Sequence, residues 1–261
     1  MNYGYLVVEG PHDIEFVGCL LKKVHKLKRI VKNDELDSYW NLIIPKTFPP
    51  DGDLRKRMPV PAFFQNDNFS IALHSAIGDS RIIRTLTVTL SKTDLAEDVV
   101  GIGIIIDADY GEAVAKKRFD SLKKELEKNL AELVEWPGNP GEILTGKPNR
   151  GIFVFPDNMN EGTLETVLLK CAKNIYPRLC ETAETFINDV DINDLTSKDK
   201  QDIKKPSGKN KATVGCIGNV LRPGKAIQVS IEDNKWIGKE TLIIPEVNAV
   251  NQFLKELFNL P

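Results

Sequence analysis

The chain has 261 residues, with 35 Lys and Arg against 37 Asp and Glu and a formal net charge of -2 at pH 7. Its 41% hydrophobic and 28% charged residues exclude a mainly disordered protein and indicate one large domain or one domain with an insert. No apolar run approaches the roughly 20 residues that span a bilayer, and the N-terminus lacks a basic, cleavable leader. We therefore expect no membrane contact and a cytoplasmic location.

The first residues predict a strand, a tight turn and a helix. The apolar run "YGYLVVEG" (3–10) ends in Gly and indicates a buried strand. Pro11 suits a first helical turn, and the apolar residues that follow it have close to helical spacing. Glu9 is therefore expected at the end of a strand and Asp13 at the start of a helix.

The next segment, 33–68, is rich in Pro, Asp and Asn and predicts an irregular insert. Within it, "YWNLIIP" (39–45) predicts one strand, and residues 47–67 a Pro-dense loop. After it, "FSIALHSAIGDS" (69–80) predicts a further strand. "RIIRTLTVTLSKTDL" (81–95) carries Thr and Val that favour a strand, but its apolar spacing and Asp-Ser cap favour a helix, which we prefer because a crossover is needed there.

The clearest strand is "DVVGIGIIIDAD" (98–109), which is apolar without alternation, as in a parallel sheet covered on both faces. A long amphipathic helix (110–133) and a second continuous apolar strand, "RGIFVFPDN" (150–158), follow. From Gly162 onward the pattern is helical, interrupted by a basic polar loop (198–211) before a helix at Ala212 to Leu221 and a terminal helix.

Strands that alternate with helices predict an α/β fold with a mainly parallel sheet flanked by helices. We expect an α/β core at residues 1–161, with 33–68 as its irregular insert. Residues 162–261 are expected to form a mainly helical C-terminal cap or subdomain.

Acidic residues end two of the predicted strands. Ligand sites in such sheets lie beyond the carboxyl ends of the strands, where Glu9, Asp107 and Asp109 are expected. Asp107 and Asp109 are two positions apart and would point to the same side of an extended strand. Oxygen ligands of this kind suit Mg²⁺ or Mn²⁺, although single acids after strands are more often helix caps or turn formers. The combination outlines a phosphoryl-transfer site.

The order "VVEGPHD" (7–13) and "IIIDAD" (104–109) resembles the signature of the Toprim fold, the metal-binding domain of bacterial primases, topoisomerases and lysogeny-defect-type nucleases. The chain is also similar to a stand-alone Toprim-like microbial family of unknown function, through "FPDN" (155–158), "GTLE" (162–165) and "PGKAI" (223–227). The resemblance covers nearly the whole chain, and segment 33–68 is its weakest part.

The resemblance implies a role for each matching acid. Glu9 would act as a general acid/base or metal ligand, and Asp13, the second catalytic candidate, matches a further acid of the nuclease-like branches. Asp107 and Asp109 would hold Mg²⁺ or Mn²⁺, and Glu165 could add a ligand, with a second metal then bridged. Asp157 and Glu161 are weaker candidates for outer ligands.

The leading hypothesis is a metal-dependent nuclease or related phosphoryl-transfer enzyme that acts on DNA or RNA. The basic runs 22–32 and 198–211 are candidates to hold a phosphate backbone, and Lys209, Lys211 and Lys225 to contact phosphates, although such lysines are more often plain surface charge.

The alternative is a non-catalytic Toprim-like metal or nucleotide sensor that works with a separate ATPase, for example in phage defence or DNA repair. The chain has no G-x-x-x-x-G-K-[ST] motif of its own, so such an ATPase would be a partner protein. His12 lies beside the site in sequence, where a turn histidine is usually just solvated. The sequence leaves open DNA against RNA, one metal against two, and the oligomeric state.

Overall fold

The structure is a computed structural model that describes residues 1–47, 60–92, 99–130 and 135–261. Its strands are β1 (Asn2–Val8), β2 (Lys28–Ile30), β3 (Ala62–Gln65), β4 (Phe69–Ser75), β5 (Val99–Asp107), β6 (Ile143–Leu144) and β7 (Asn149–Phe155). The described helices are α1 (Pro11–Lys23), α2 (Ile82–Lys92), α3 (Val114–Leu130), α4 (Leu164–Ile175), α5 (Pro177–Asp189), α6 (Ser197–Ile203), α7 (Gly208–Leu221), α8 (Ile227–Asp233) and α9 (Pro245–Phe258).

The strands form one seven-stranded sheet of order β2-β3-β4-β1-β5-β7-β6. Its four central strands, β4, β1, β5 and β7, run parallel, and β2, β3 and β6 pair antiparallel at the edges. Helix α2 lies between β4 and β5 in sequence and helix α3 lies after β5, as crossover connections require. The prediction of an α/β fold with a mainly parallel sheet is confirmed.

Alternate residues of β1 enter two separate hydrophobic layers, because successive side chains of a strand point to opposite faces. Leu6 and Val8 belong to the layer formed with α1, α4 and α9. Tyr5 and Val7 belong to the layer formed with α2 and α3. The central strands are therefore covered on both faces, which explains why β5 is apolar without alternation.

The C-terminal region from α4 to α9 is mainly helical and packs on the first of these faces. Its buried residues share one hydrophobic cluster with Leu6, Ile105 and Phe153 of the sheet. The division into a core at 1–161 and a cap at 162–261 stays a prediction. None of the helices in the described parts of the chain combines the length and the apolar composition that a bilayer crossing requires.

Helix α9 approaches the sheet closely enough to require glycine beneath it. A methyl group at Gly101 would overlap the backbone carbonyl of Leu257, and one at Gly4 would overlap the ring of Phe258. The Asn149 side-chain amide donates to the carbonyl oxygens of Glu256 at 3.2 Å and Leu257 at 3.3 Å. Sheet and helix therefore meet backbone to backbone at the end of α9.

Three local predictions are wrong. Segment 39–45 is not a strand, because Ser38–Leu42 forms a 3-10 helix whose Trp40 is buried and donates to Ser70 Oγ at 2.7 Å. The basic run 198–211 is not a loop, because it contains most of α6 and the first turn of α7. The predicted loop at 47–67 is not a loop throughout, because Ala62–Gln65 forms strand β3. Its residues 48–59 lie outside the described part of the chain. The preferred helix at 81–95 is confirmed over Ile82–Lys92 by α2, and residues 93–95 lie outside the described part of the chain.

Candidate metal centre

The carboxyl ends of β1 and β5 bring two carboxylates together. The two strands are parallel neighbours, with Val8 opposite Ile105, so Glu9 and Asp107 leave the sheet side by side. Glu9 Oε1 accepts a hydrogen bond from the backbone N–H of Asp107 at 2.9 Å. Burial raises the pKa of Glu9, although this hydrogen bond and the charge of Arg118 act in the opposite direction.

Asp13 is held in the first turn of α1. Its Oδ2 accepts from the Gly10 N–H at 2.9 Å, so the side chain closes the N-terminus of the helix. The carboxyl is almost completely buried, with 7% of the residue exposed. Burial, followed by the charges of Glu9 and Glu165, raises the pKa of Asp13 to about 7.

Asp107 is tied to the start of α4. Its Oδ1 accepts a hydrogen bond from the backbone N–H of Leu164 at 2.9 Å. Burial, followed by the charges of Asp13, Glu9 and Glu165, raises its pKa well above the ordinary value. The carboxylates at the ends of β1, α1 and β5 therefore disfavour one another's ionisation.

Glu165 differs from the other three because hydrogen-bond donors and the charge of Lys211 act on it. Its Oε2 accepts from Thr163 Oγ1 at 2.8 Å, and its Oε1 lies 3.9 Å from His12 Nδ1. Burial alone would raise the pKa of Glu165, but His12, Thr163 and Lys211 together lower it below the ordinary value. Glu165 therefore carries a negative charge at neutral pH.

These four carboxylates line one pocket of about 290 Å³. The side chains of His12 and Lys211 also line it, together with Gly10, Pro11, Ile77, Gly78 and Leu164. Lys211 comes from α7, so the C-terminal region contributes a positive charge to a site built mainly from the sheet. We call these residues the carboxylate pocket.

The two other lysine candidates lie elsewhere. Lys209 is exposed and donates to Asn188 Oδ1 at 2.9 Å, and Lys225 is exposed; neither lines the carboxylate pocket. In the other basic run, 22–32, several cations are engaged within the protein: Lys22 pairs with Glu232 at 3.0 Å, and Arg29 with Glu15 at 2.7 Å. Of the candidate lysines, the structure therefore brings Lys211 to the acids.

Asp109 leaves the path of the strand. Strand β5 ends at Asp107, and Asp109 has a left-handed backbone with φ of +66°. The prediction that Asp107 and Asp109 point to the same side required an extended strand through Asp109, and the strand ends before that residue. The Asp109 side chain is 63% exposed and does not line the carboxylate pocket; its Oδ2 lies 4.0 Å from Arg118 Nε.

The two weaker candidates have local partners. Asp157 Oδ1 accepts from the N–H groups of Met159 at 3.1 Å and Asn160 at 2.8 Å, as in a turn-forming aspartate. Despite partial burial, these hydrogen bonds lower the pKa of Asp157. Glu161 accepts from the N–H of Gly111 at 2.8 Å. Neither carboxylate lines the carboxylate pocket.

Sequence reasoning missed Arg118 and Asp79. Arg118, on α3, donates to Asp79 Oδ2 at 2.9 Å and lies 3.4 Å from Glu9 Oε1. Asp79 follows β4 in a short 3-10 turn. A signal existed for Asp79, because it follows the carboxyl end of a strand next to β1. A single Arg in a helix rich in Lys and Glu carries no comparable signal.

The donor set of the carboxylate pocket fits Mg²⁺ or Mn²⁺ chemically, because it consists of carboxylate oxygens with room for water. Backbone N–H groups donate to Glu9 at Oε1, to Asp13 at Oδ2 and to Asp107 at Oδ1. The described residues nevertheless contain no group of three or more His, Cys, Asp or Glu side chains already arranged to hold a metal ion.

Comparison with known proteins places the chain in a family. The family model described as "Protein of unknown function (DUF3226)" matches residues 3–259. The chain belongs to the DUF3226 family. The crystal structure of a hypothetical protein from Pyrococcus horikoshii OT3 is similar to this member of the family, with a TM-score of 0.50 and 20% sequence identity over 100% of this chain and 96% of the other. At that identity the likeness shows the fold alone. No curated protein matches the chain.

Proposed function

We propose that the protein is a Mg²⁺- or Mn²⁺-dependent phosphoryl-transfer enzyme, a nuclease that acts on DNA or RNA. The observation that carries the proposal is the convergence of Glu9, Asp13, Asp107 and Glu165 on one pocket that also contains Lys211. Packing of the fold does not require four acids at one point, and burying them together costs free energy unless a cation compensates their charge.

Glu9, Asp107 and Glu165 would hold the cation, since all three line the carboxylate pocket. When bound, the cation supplies a polarised phosphoryl oxygen and a more acidic water. Glu165 is suited to this role, because its pKa is lowered and it needs no deprotonation at neutral pH. The hydrogen bonds from Asp107 N–H and Leu164 N–H fix the orientation of the other two carboxylates.

Asp13 is the group best suited to accept a proton. Its pKa of about 7 lies near neutral pH, where a general base or acid is most effective. Because Oδ2 accepts the Gly10 N–H, the proton is carried on Oδ1. Asp13 would take a proton from the attacking water on Oδ1, beside Glu9, which is hydrogen-bonded to the next strand.

Lys211 would contact the phosphate. A nucleic-acid backbone is repelled by uncompensated carboxylates, so a lysine at the same pocket favours its approach. Lys209 and Lys225 would contact neighbouring phosphates, since both are exposed. The Toprim resemblance of "VVEGPHD" and "IIIDAD" supports the same activity, and free cysteines, of which Cys19, Cys171 and Cys180 are buried, fit a cytoplasmic location.

A second candidate is the non-catalytic sensor that works with a partner ATPase. One observation favours it: oxygens of Glu9, Asp13 and Asp107 are engaged by backbone N–H groups, and the described side chains are not already arranged around a metal. In this case cation or nucleotide binding in the carboxylate pocket would change the protein's affinity for the partner, without cleavage.

The test is a cleavage assay with labelled single- and double-stranded DNA and RNA, in Mg²⁺, Mn²⁺ or EDTA. The wild type is compared with Asp107→Asn, whose amide oxygen can still accept the Leu164 N–H. The matched control is Asp157→Asn, the same change at the end of a neighbouring strand but outside the carboxylate pocket. We expect metal-dependent cleavage by the wild type and the control and its loss in Asp107→Asn.

Two other results would decide against this proposal. Metal binding without cleavage of any substrate would favour the sensor. Equal cleavage by the wild type and Asp107→Asn would mean that the activity does not come from the carboxylate pocket.

A further inference from the structure

Arg118 connects acids from three different elements of the protein. Its Nη1 donates to Asp79 Oδ2 at 2.9 Å. Its Nη2 lies 3.4 Å from Glu9 Oε1, and its Nε lies 4.0 Å from Asp109 Oδ2. Nε also donates to the backbone carbonyl of Asp107 at 3.3 Å. We call Glu9, Asp79 and Asp109 the outer carboxylates.

The outer carboxylates differ from the carboxylate pocket in exposure. Asp79 is 50% and Asp109 is 63% exposed at the side chain, whereas Arg118 is 25% exposed and Glu9 is 21% exposed. Glu9 belongs to both groups, since it lines the pocket and contacts Arg118. The two sets of acids are therefore adjacent and have Glu9 in common.

Three neighbouring carboxylates would by themselves attract a divalent cation, and a shared ligand is what joins the two ions of a two-metal site. Here the guanidinium stands among them. An arginine side chain is always charged, offers five fixed donors and matches carboxylates geometrically. A divalent ion beside it would meet strong electrostatic repulsion.

We propose that Arg118 is a positioning residue that takes the place of a second cation: it neutralises the outer carboxylates and so limits the site to one divalent ion, held in the carboxylate pocket. The same contact fixes Glu9 between the two groups. The single ion in the pocket rests on the proposed function, whereas the exclusion of an ion from the outer carboxylates is a separate statement.

The contacts distinguish this role from an ordinary surface ion pair. An exposed pair contributes little and involves one acid. Arg118 is partly buried, contacts three acids and also donates to a backbone carbonyl. Removing it would leave the outer carboxylates uncompensated and available to a cation.

The experiment counts bound ions directly. Purified protein is titrated with Mn²⁺, and the free ion is measured by its electron paramagnetic resonance signal, without any substrate. The variants are Arg118→Ala, Arg118→Gln and Arg118→Lys. The matched control is Lys117→Ala, which removes one positive charge from the same helix; Lys117 donates to the backbone carbonyl of Glu112.

We expect one Mn²⁺ in the wild type, Arg118→Lys and the control, and two in Arg118→Ala. Arg118→Gln, which retains a donor for Asp79, is expected to bind two ions as well. It replaces Arg118→Ala if circular dichroism shows that the alanine variant is unfolded. Adding Asp79→Asn to either variant is expected to return the number to one, which would locate the second ion at the outer carboxylates.

The outcomes separate this inference from the proposed function. Two ions in the wild type, or one in both the wild type and Arg118→Ala, would overturn the role of Arg118 and leave the pocket ion intact. No ion in the wild type but one in Arg118→Ala would support the role of Arg118 and overturn the pocket ion. No ion in either protein would overturn both.

Discussion

Replacing Asp13 by Asn is expected to make the protein more stable, and increasingly so as the pH rises. In the folded protein the pKa of Asp13 is about 7, against an ordinary value of 3.8. Because the folded-state pKa is raised, the protonated carboxyl causes no loss of stability below pH 3.8. The loss grows as the pH rises from there through about 7, since the buried carboxyl then ionises beside Glu9 and Glu165.

The size of the effect follows from the same two values. Each pH unit between 3.8 and about 7 corresponds to about 1.36 kcal/mol, so the full loss is about 4 kcal/mol. About 2–3 kcal/mol of this is expected between pH 5 and pH 8. The amide of the Asp13→Asn variant can accept the Gly10 N–H through its oxygen but cannot ionise, so it lacks this dependence.

The measurement is urea unfolding at pH 5 and pH 8, with EDTA present to remove divalent cations. The difference in the free energy of unfolding between Asp13→Asn and the wild type should grow with pH. Asp157→Asn is the control, because the lowered pKa of Asp157 keeps that group charged in folded and unfolded protein across this range. The same difference at both pH values for Asp13→Asn would refute the reasoning.

Three further predictions concern other parts of the molecule. Lys211→Ala should weaken binding of a labelled oligonucleotide and lower the salt dependence of binding by about one ion, whereas Lys117→Ala, outside the pocket, should have a smaller effect. The measurement is an anisotropy titration at several salt concentrations, and equal losses in the two variants would contradict a phosphate contact by Lys211. Gly101→Ala should cost about 1–3 kcal/mol in urea unfolding, because its methyl group overlaps the backbone of α9; an unchanged midpoint would contradict this packing. Asp109→Asn should leave Mn²⁺ affinity unchanged in the resonance titration, and a loss as large as that of Asp107→Asn would contradict its position outside the pocket.

The parts of the fold that could be predicted are those whose signal lies in local pattern. Strands β5 and β7 are continuous apolar runs, and α2 follows a helical spacing once a crossover is required. Segment 39–45 has the composition of a strand, but Trp40 and Ile43, three positions apart, pack into one layer, and this is a helical spacing. Strands of three or four residues, such as β2 and β3, are too short for any period to show.

The acids of the site that end strands could be predicted from the sequence, whereas the residues that other elements bring to the site could not. The order of strand-end acids places Glu9 and Asp107 on neighbouring strands. The position of Asp109 depends on a left-handed turn after the strand, for which the sequence offers an ordinary aspartate. Arg118 and the raised pKa of Asp13 arise from tertiary neighbours and burial, neither of which a single sequence specifies.

The close approach of α9 to the sheet affects the order in which the protein can become complete during synthesis. Strands β1, β5 and β7 are translated before α9, whose Leu257 backbone lies over Gly101 and whose Phe258 ring lies over Gly4, with no space for larger groups at either glycine. Until α9 has been made, that part of the sheet stays open to water and to other nascent chains. Chaperone protection would therefore matter most in the interval before α9 docks on the sheet.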